Sequence, residues 1–269
     1  MVVESPLVSV LFVTYKRFDN LERAIESFRR NTDYPNLEIV IADDGSGAEI
    51  QEKIRQIPAN GYALSEKNRG LGANNNAGLS HCHGKYVLMI QDDWECHGPP
   101  DYLSQSVAVM EANPDVGLIN FAGSLNSHDP SLRLVGSEEP CFLTPDPAND
   151  KGVESFLYSD QPHLQSMAAL RFIGPYQEEP MVRSEIHYCR SWKNQNRFRT
   201  AVFPAWHLTV FRCDYQAPSF SAAMFSRRTL VALLPFAQWL KRHCHPAYRA
   251  GRAGFNACMK ILESLRLVH

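Results

Sequence analysis

The 269-residue chain contains no apolar run of about 18 residues or more, the length needed to cross a bilayer. The best candidate, 229–240, is shorter and carries Pro235 and Gln238. No C-x-x-C pair occurs. The seven cysteines, at 82, 96, 141, 189, 213, 244 and 258, are odd in number and widely spaced. That pattern argues against a secreted disulfide framework and against a zinc ribbon. Residues 1–6 lack the basic and apolar regions of a signal peptide. Reduced thiols and a cytoplasmic setting are therefore expected. Charge of one sign is also scarce: the formal net charge is −2. Nothing in that balance announces a nucleic-acid partner. The chain has neither a G-x-x-x-x-G-K-[ST] phosphate loop nor a G-x-G-x-x-G fingerprint. Internal repeats and low-complexity tracts are missing as well.

What is present is ordinary globular composition, with 44% hydrophobic and 21% charged residues. The length suits one generous α/β domain, or one domain and an appendage. Residues 7–14 (LVSVLFVT) form a short apolar run rich in β-branched side chains. Such a run predicts a strand buried on both faces of a parallel sheet. Leu21, Ala24, Ile25 and Phe28 follow at helical spacing within 18–30. Alternation continues: strand 37–42, helix 48–57, strand 62–64, helix 72–80, strand 84–90, helix 100–112, strand 116–121. Strands alternating with helices mean crossover units in a doubly wound sheet.

Residues 123–165 hold five prolines and several turn signals, and predict a loop-rich insertion with short hairpins. Beyond it, strands are expected over 167–173, 200–203 and 207–211, and a helix over 179–193. From 221 onward the chain changes character, with eight Lys and Arg residues against one acid, Glu263.

Ligands of doubly wound sheets bind beyond the carboxyl ends of the strands. Here those ends are polar: Thr14-Tyr15-Lys16-Arg17, Asp43-Asp44-Gly45-Ser46 and Asp92-Asp93. The Asp43-Asp44 pair fits two readings. One is acceptance of hydrogen bonds from a base or ribose; the other is a strand-end turn with a helix cap. Asp92-Asp93 likewise fits an acidic turn, or a site for Mg²⁺ or Mn²⁺ on a diphosphate. Two such ends in one sheet favour a nucleotide–metal site. The passage 67–78 (KNRGLGANNNAG) opens a helix whose free N–H groups would favour phosphate, and its asparagines also suit capping.

On four ordered pieces the chain resembles a family 2 inverting glycosyltransferase with the GT-A fold. They are VSVLFVTYKR at 8–17, IVIADDGS at 39–46, NRGLGANNNAG at 68–78 and GKYVLMIQDDWE at 84–95. A weaker likeness runs through 171–192 and FPAWH at 203–207. The resemblance implies a Rossmann-like, mostly parallel sheet in a GT-A domain over 1–215. Its nucleotide-sugar half would be 1–121 and its acceptor half 122–215, with a helical basic appendage over 216–269. Position by position, it places Thr14, Tyr15 and Arg17 beside the nucleotide. It gives Asp43 or Asp44 to the base or ribose, and Asn68, Gly72 and Asn76 to the nucleotide-sugar segment. Asp92 and Asp93 occupy the D-x-D region, with Asp93 as metal ligand. His207 stands where many members place a metal-side histidine, and equally suits a plain strand position.

Two departures stand out. Gln91 replaces the first acid of the D-x-D, and the late Glu-Asp pair is reduced to Glu185 followed by Ile186. Glu185 is the candidate catalytic base, with a solvated helix glutamate as the competing reading. The implied reaction is metal-assisted direct displacement from a nucleoside-diphosphate sugar onto a saccharide or lipid-linked acceptor, in polysaccharide or glycolipid biosynthesis. Sugar-phosphate nucleotidyl transfer and an inactive nucleotide-sugar-binding module are the alternatives. The basic tail over 221–269 suits either ordinary packing or peripheral contact with the inner face of a membrane. Oligomeric state is left open.

Overall fold

The computed structural model describes residues 5–121, 132–135, 140–145, 157–178, 181–203 and 209–213. Strand β1 (Val8–Thr14) is followed by α1 (Phe18–Asn31), β2 (Leu37–Asp43), α2 (Ala48–Gln56), β3 (Gly61–Leu64), α3 (Leu71–Leu79) and β4 (Tyr86–Gln91). Then come β5 (Trp94–Cys96), α4 (Tyr102–Ala112), β6 (Val116–Asn120), β7 (Leu132–Val135), β8 (Cys141–Pro145) and β9 (His163–Ser166). Helices α5 (Met167–Ile173) and α6 (Met181–Asn194) precede β10 (Arg199–Val202) and β11 (Phe211–Cys213). The strand order is β3-β2-β1-β4-β9-β6-β10-β8-β7, with β11 and β5 forming a separate antiparallel pair. Strands β1 to β4 are mutually parallel, and only β9 and β8 run against the common direction of the large sheet. This is the expected mostly parallel, doubly wound architecture.

Its first half follows from the residues. Every residue of β1 is buried, because α1 and α4 cover one sheet face and α3, α5 and α6 the other. Val8, Val10 and Phe12 point to the first face, where Leu21, Ile25 and Phe28 of α1 pack. Leu11 and Val13 point to the second, beside Val87, Met89, Tyr158 and Trp192. The described cysteines form no disulfide with one another, and Cys82, Cys96, Cys141 and Cys189 are buried. Among the described residues, no helix is long and apolar enough to cross a membrane.

Two expectations are corrected. Residues 167–173 form a helix, α5, not a strand. Ser166 Oγ accepts the Ala169 N–H at 3.1 Å as an N-cap, and Met, Ala and Leu are good helix formers. Of the strand expected over 207–211, residues 209 and 210 form a turn, β11 covers Phe211–Cys213, and 207 and 208 lie outside the described residues. The insertion also contains a four-residue strand, β9, wedged antiparallel between β4 and β6. Hairpins are confirmed there by the antiparallel β7–β8 pair. His207 and the appendage over 216–269, with its membrane-facing reading, lie outside the described residues.

At the end of the sheet away from the strand carboxyl ends, Glu38 is only 9% exposed. Its carboxylate accepts hydrogen bonds from Ser9 Oγ at 2.5 Å, the His83 N–H at 2.5 Å and the Gly84 N–H at 3.2 Å. Burial pushes its pKa up, but the hydrogen bonds from Ser9 and His83 outweigh burial and leave it below the ordinary carboxylate value. A lowered folded-state pKa stabilises the protein above the unfolded value, and that contribution is lost as pH falls through the folded one. The melting temperature should therefore fall between about pH 5 and pH 3. Thermal scans of Glu38→Gln should show a flatter dependence over that interval; an identical slope would remove Glu38 from the acid response.

Candidate active site

The carboxyl ends of β1, β2 and β4 lie side by side, since Thr14 pairs with Asp43 and Val13 with Gln91. The Asp92 N–H continues the ladder to Val13 O at 3.1 Å. Asp92 is therefore delivered next to Thr14, whose Oγ1 donates to Asp92 Oδ2 at 2.7 Å. Arg17, just ahead of α1, spans both acids, with Nη1 3.2 Å from Asp92 Oδ1 and 3.5 Å from Asp93 Oδ2. Burial pushes Asp92 up to about 6, against the Thr14 hydrogen bond and the Arg17 charge. Asp93 is raised by burial too, with Arg17 opposing. Asp93 Oδ1 is buried and has no hydrogen-bond partner among the described residues.

That orphaned acceptor beside a second carboxylate is the right donor chemistry for a hard cation. Mg²⁺ and Mn²⁺ commonly take one or two protein carboxylates, with phosphate oxygens and waters completing the shell. Among the described residues, no group of three or more His, Cys, Asp or Glu converges as a metal site. Asp92 and Asp93 thus fit a cation that a diphosphate helps to hold, rather than an all-protein cage.

Asp43 and Asp44 are buried at 0% and 4% exposure. Asp43 accepts from the Ser46 N–H at 2.9 Å, from Ser46 Oγ and from Gln51 Nε2 at 2.8 Å. Asp44 accepts the Arg69 and Gly70 N–H groups, each at 2.8 Å. A carboxylate offers about four lone-pair sites, so Asp44 keeps more acceptor capacity than Asp43. Burial raises the Asp44 pKa, and the two amide hydrogen bonds oppose that. Gly45 makes the crossing possible: at φ 78°, a Cβ there would stand 2.6 Å from Asn68 N.

The glycine–asparagine segment turns inward rather than out. Asn68 is exposed, while Asn74 Nδ2 reaches Thr14 O at 3.3 Å and Ala42 O at 3.2 Å. Asn76 clamps Tyr176 from both sides, donating to its carbonyl and accepting its N–H, each at 2.9 Å. Gly72 lets α3 approach α6: a Cβ there would lie 2.5 Å from Ser184 Oγ and inside van der Waals contact of Gln177 O. Gly72→Ala should destabilise the protein by about 1–3 kcal/mol through overpacking. Urea melts read this directly; an unchanged midpoint would show that α6 yields without cost. Thus Gly72 and Asn76 position α6.

Glu185 lies on α6. Its Oε1 accepts the Asp160 N–H at 3.2 Å and Ser159 Oγ at 3.4 Å. Asp160 is brought there by β9. Because β9 runs antiparallel, its first residue sits level with Met89 and Asn120, near the ends of β4 and β6. Asp160 was not among the residues singled out from sequence. It sits at the end of an irregular stretch, ahead of a polar strand (HLQS), without a local signature. Thr14, Arg17, Asp92 and Asp93 are brought together as expected. Tyr15 is half-buried, with the Lys16 ammonium 5.1 Å from its ring centroid.

Comparison with known proteins agrees with this geometry. Over 124 residues, the chain is 31% identical to a Bacillus subtilis (strain 168) protein named "Putative glycosyltransferase EpsH", covering 45% of this chain and 35% of EpsH. It is 32% identical over 95 residues to a GalNAc(5)-diNAcBac-PP-undecaprenol beta-1,3-glucosyltransferase of Campylobacter jejuni, covering 34% of this chain and 30% of that enzyme. The chain thus matches only about a third of the length of these relatives. A mannosyltransferase from Pyrobaculum calidifontis, solved with GDP-Man and Mn²⁺, superimposes with a TM-score of 0.56 at 19% identity, over 76% of this chain and 56% of that one. That likeness is one of fold, the GT-A fold. The sequence model described as Glycosyl transferase family 2 matches residues 9–151, which takes in the ends of β1, β2 and β4 and more than half of the 269 residues. The chain belongs to glycosyl transferase family 2.

Proposed function

We propose that the protein moves a sugar from a nucleoside-diphosphate sugar to an acceptor hydroxyl, with inversion at the anomeric carbon. The observation that carries this reading is the Asp92–Asp93 pair at the end of β4. Asp92 is buried and Asp93 half-buried, both are raised in pKa and spanned by Arg17, and Asp93 keeps an orphaned oxygen. Glu185, held on α6, supplies the base. In one displacement the acceptor oxygen bonds to the anomeric carbon as the bond from that carbon to the diphosphate oxygen breaks. Glu185 takes the acceptor's proton, and the nucleoside diphosphate departs with the bonding electrons. A single displacement inverts the centre, so no carboxylate nucleophile is required.

Mn²⁺ or Mg²⁺ held by Asp93 with Asp92 would supply neutralisation of the leaving diphosphate. Thr14 fixes the rotamer of Asp92, and Arg17 adds positive charge at the same point. Asp44, Asn68 and Tyr15 are proposed to line the nucleotide, with Asp43 securing the turn that carries Asp44. His207 is retained as a candidate metal-side ligand on the family resemblance alone.

The acceptor class is a saccharide or lipid-linked saccharide, in polysaccharide or glycolipid assembly. The undecaprenol-linked substrate in the name of the Campylobacter relative supports it. The basic stretch 221–269 would then serve contact with the cytoplasmic face of a membrane. Binding is the first test. UDP or GDP with Mn²⁺ should raise the melting temperature, since a ligand specific for the folded state stabilises by about 2.7 kcal/mol at 100 times its Kd. No shift with any nucleoside diphosphate, with or without metal, would overturn the reading.

A further inference from the structure

We propose that Lys16 is a donor-binding residue: its ammonium meets the negative charge of a nucleoside diphosphate lying across the ends of β1, β2 and β4. This rests on the reading of that edge as the donor site, and adds to it a cation that Arg17 does not replace.

The turn after β1 is strained. Lys16 has φ 58°, and among the described residues it is the one non-glycine with a positive φ. Glycine, asparagine or aspartate suits that backbone, whereas a lysine Cβ there costs stability. Such strain collects at binding sites, where the surrounding structure holds it in place. Here the hold is explicit. The Lys16 N–H donates to Ser46 Oγ at 2.6 Å. Ser46 Oγ donates to Asp43, which also accepts the Ser46 N–H at 2.9 Å. The Asp44 N–H donates to Thr14 O at 3.1 Å, fastening the ends of β1 and β2 together.

Lys16 thus has the Asp43-Asp44 turn on one side. On the other, its neighbour Arg17 is tied to Asp92 and Asp93. A donor that reaches from Asp44 to the acid pair spans this position. The side chain is available to it. Lys16 is exposed, and its ammonium pairs with no carboxylate among the described residues. It lies 5.1 Å from the Tyr15 ring centroid. An exposed cation–π contact is worth less than the backbone strain, so it does not account for a lysine at this φ.

Charge balance points the same way. Asp92 and Asp93 together with a sugar diphosphate bring four negative charges, and a divalent cation with Arg17 returns three. Arg69, which approaches the edge through its backbone N–H to Asp44, has its guanidinium paired with Glu178. Lys16 supplies the remaining positive charge. An ammonium is a compact charge with rotatable donors on a flexible stem. It can follow phosphate oxygens as the bond to the sugar breaks, without the fixed geometry that a guanidinium fork imposes.

Calorimetric titrations of UDP and GDP with Mn²⁺ into the full chain and its Lys16→Asn and Lys16→Arg variants test this without turnover. Asparagine tolerates a positive φ and carries no charge. Lys16→Asn should weaken binding by about 5–50-fold, the scale of a lost charge-assisted hydrogen bond. Lys16→Arg should stay within about threefold of wild type, since the charge is kept. Added NaCl should weaken wild-type binding more than that of Lys16→Asn. Without ligand, Lys16→Asn should melt no lower than wild type, because the strain is relieved. Equal affinity and equal salt dependence in Lys16→Asn and wild type overturn the proposal. So does a lowered melting temperature in Lys16→Asn with affinity lost in Lys16→Arg as well, which marks a structural role. Absence of nucleoside diphosphate binding to the wild type overturns the donor reading and the Lys16 contact with it, whereas equal affinities overturn the contact alone.

Discussion

Glu185→Gln is expected to lower kcat for sugar transfer by about 10²–10⁴-fold, the usual contribution of a positioned base. Donor affinity should change little. Glutamine keeps the shape of the side chain, and its carbonyl oxygen can still accept from the Asp160 N–H and Ser159 Oγ that hold Oε1. What it loses is the capacity to take a proton. The buried Ser184 beside it, facing Gly72, fixes the start of α6 in both proteins, so stability should be close to wild type. Steady-state kinetics with a donor binding curve separates the effects. A kcat within about threefold of wild type would remove Glu185 from the chemistry, because even modest general-base catalysis exceeds that.

Asp93→Ala should reduce turnover by about 10²–10³-fold, the scale on which lost stabilisation of a leaving group is felt. It should also abolish the Mn²⁺-dependent rise in melting temperature with nucleoside diphosphate. The orphaned oxygen belongs to this residue, whereas Asp92 is already tied to Thr14 and Arg17. Removing Asp93 also relieves a half-buried, raised carboxylate. The unliganded variant should therefore be no less stable than wild type, and a loss of activity cannot be ascribed to unfolding. Calorimetric titration of Mn²⁺ in the presence of UDP or GDP reads the binding change. Unaltered cation binding would mean that Asp93 holds no metal.

The sequence makes the strands that frame this site legible. Strands β1, β2 and β4 announce themselves as buried apolar runs ended by Thr14, Asp43-Asp44 and Asp92-Asp93. The pattern works because a parallel strand covered on both faces must be apolar until the edge of the sheet. Helix α1 is equally plain from Leu21, Ala24, Ile25 and Phe28. The rest is non-local. Strand β9 has only four residues, His163–Ser166, and buries a histidine and a glutamine without apolar alternation. Its identity is set by the slot between β4 and β6, not by propensity. Asp160 arrives at the site only because that strand runs backwards. Asn76 illustrates the same limit: its amide meets Tyr176, a hundred positions along the chain. Its place in a glycine–asparagine run points toward the donor, and in the fold its amide also clamps the Tyr176 backbone ahead of α6. The helix at 167–173 is not legible in the sequence, because a seven-residue apolar stretch fits strand and helix alike and the Ser166 cap decides between them.

The most direct measurement is mass spectrometry of products from UDP- and GDP-sugars incubated with the full chain and Mn²⁺, alongside Asp93→Ala and Glu185→Gln. Cleavage between the anomeric carbon and the diphosphate, releasing nucleoside diphosphate and sugar from the wild type and much less from either variant, is the predicted result. Cleavage within the diphosphate, or no release from any donor, would contradict glycosyl transfer at this site.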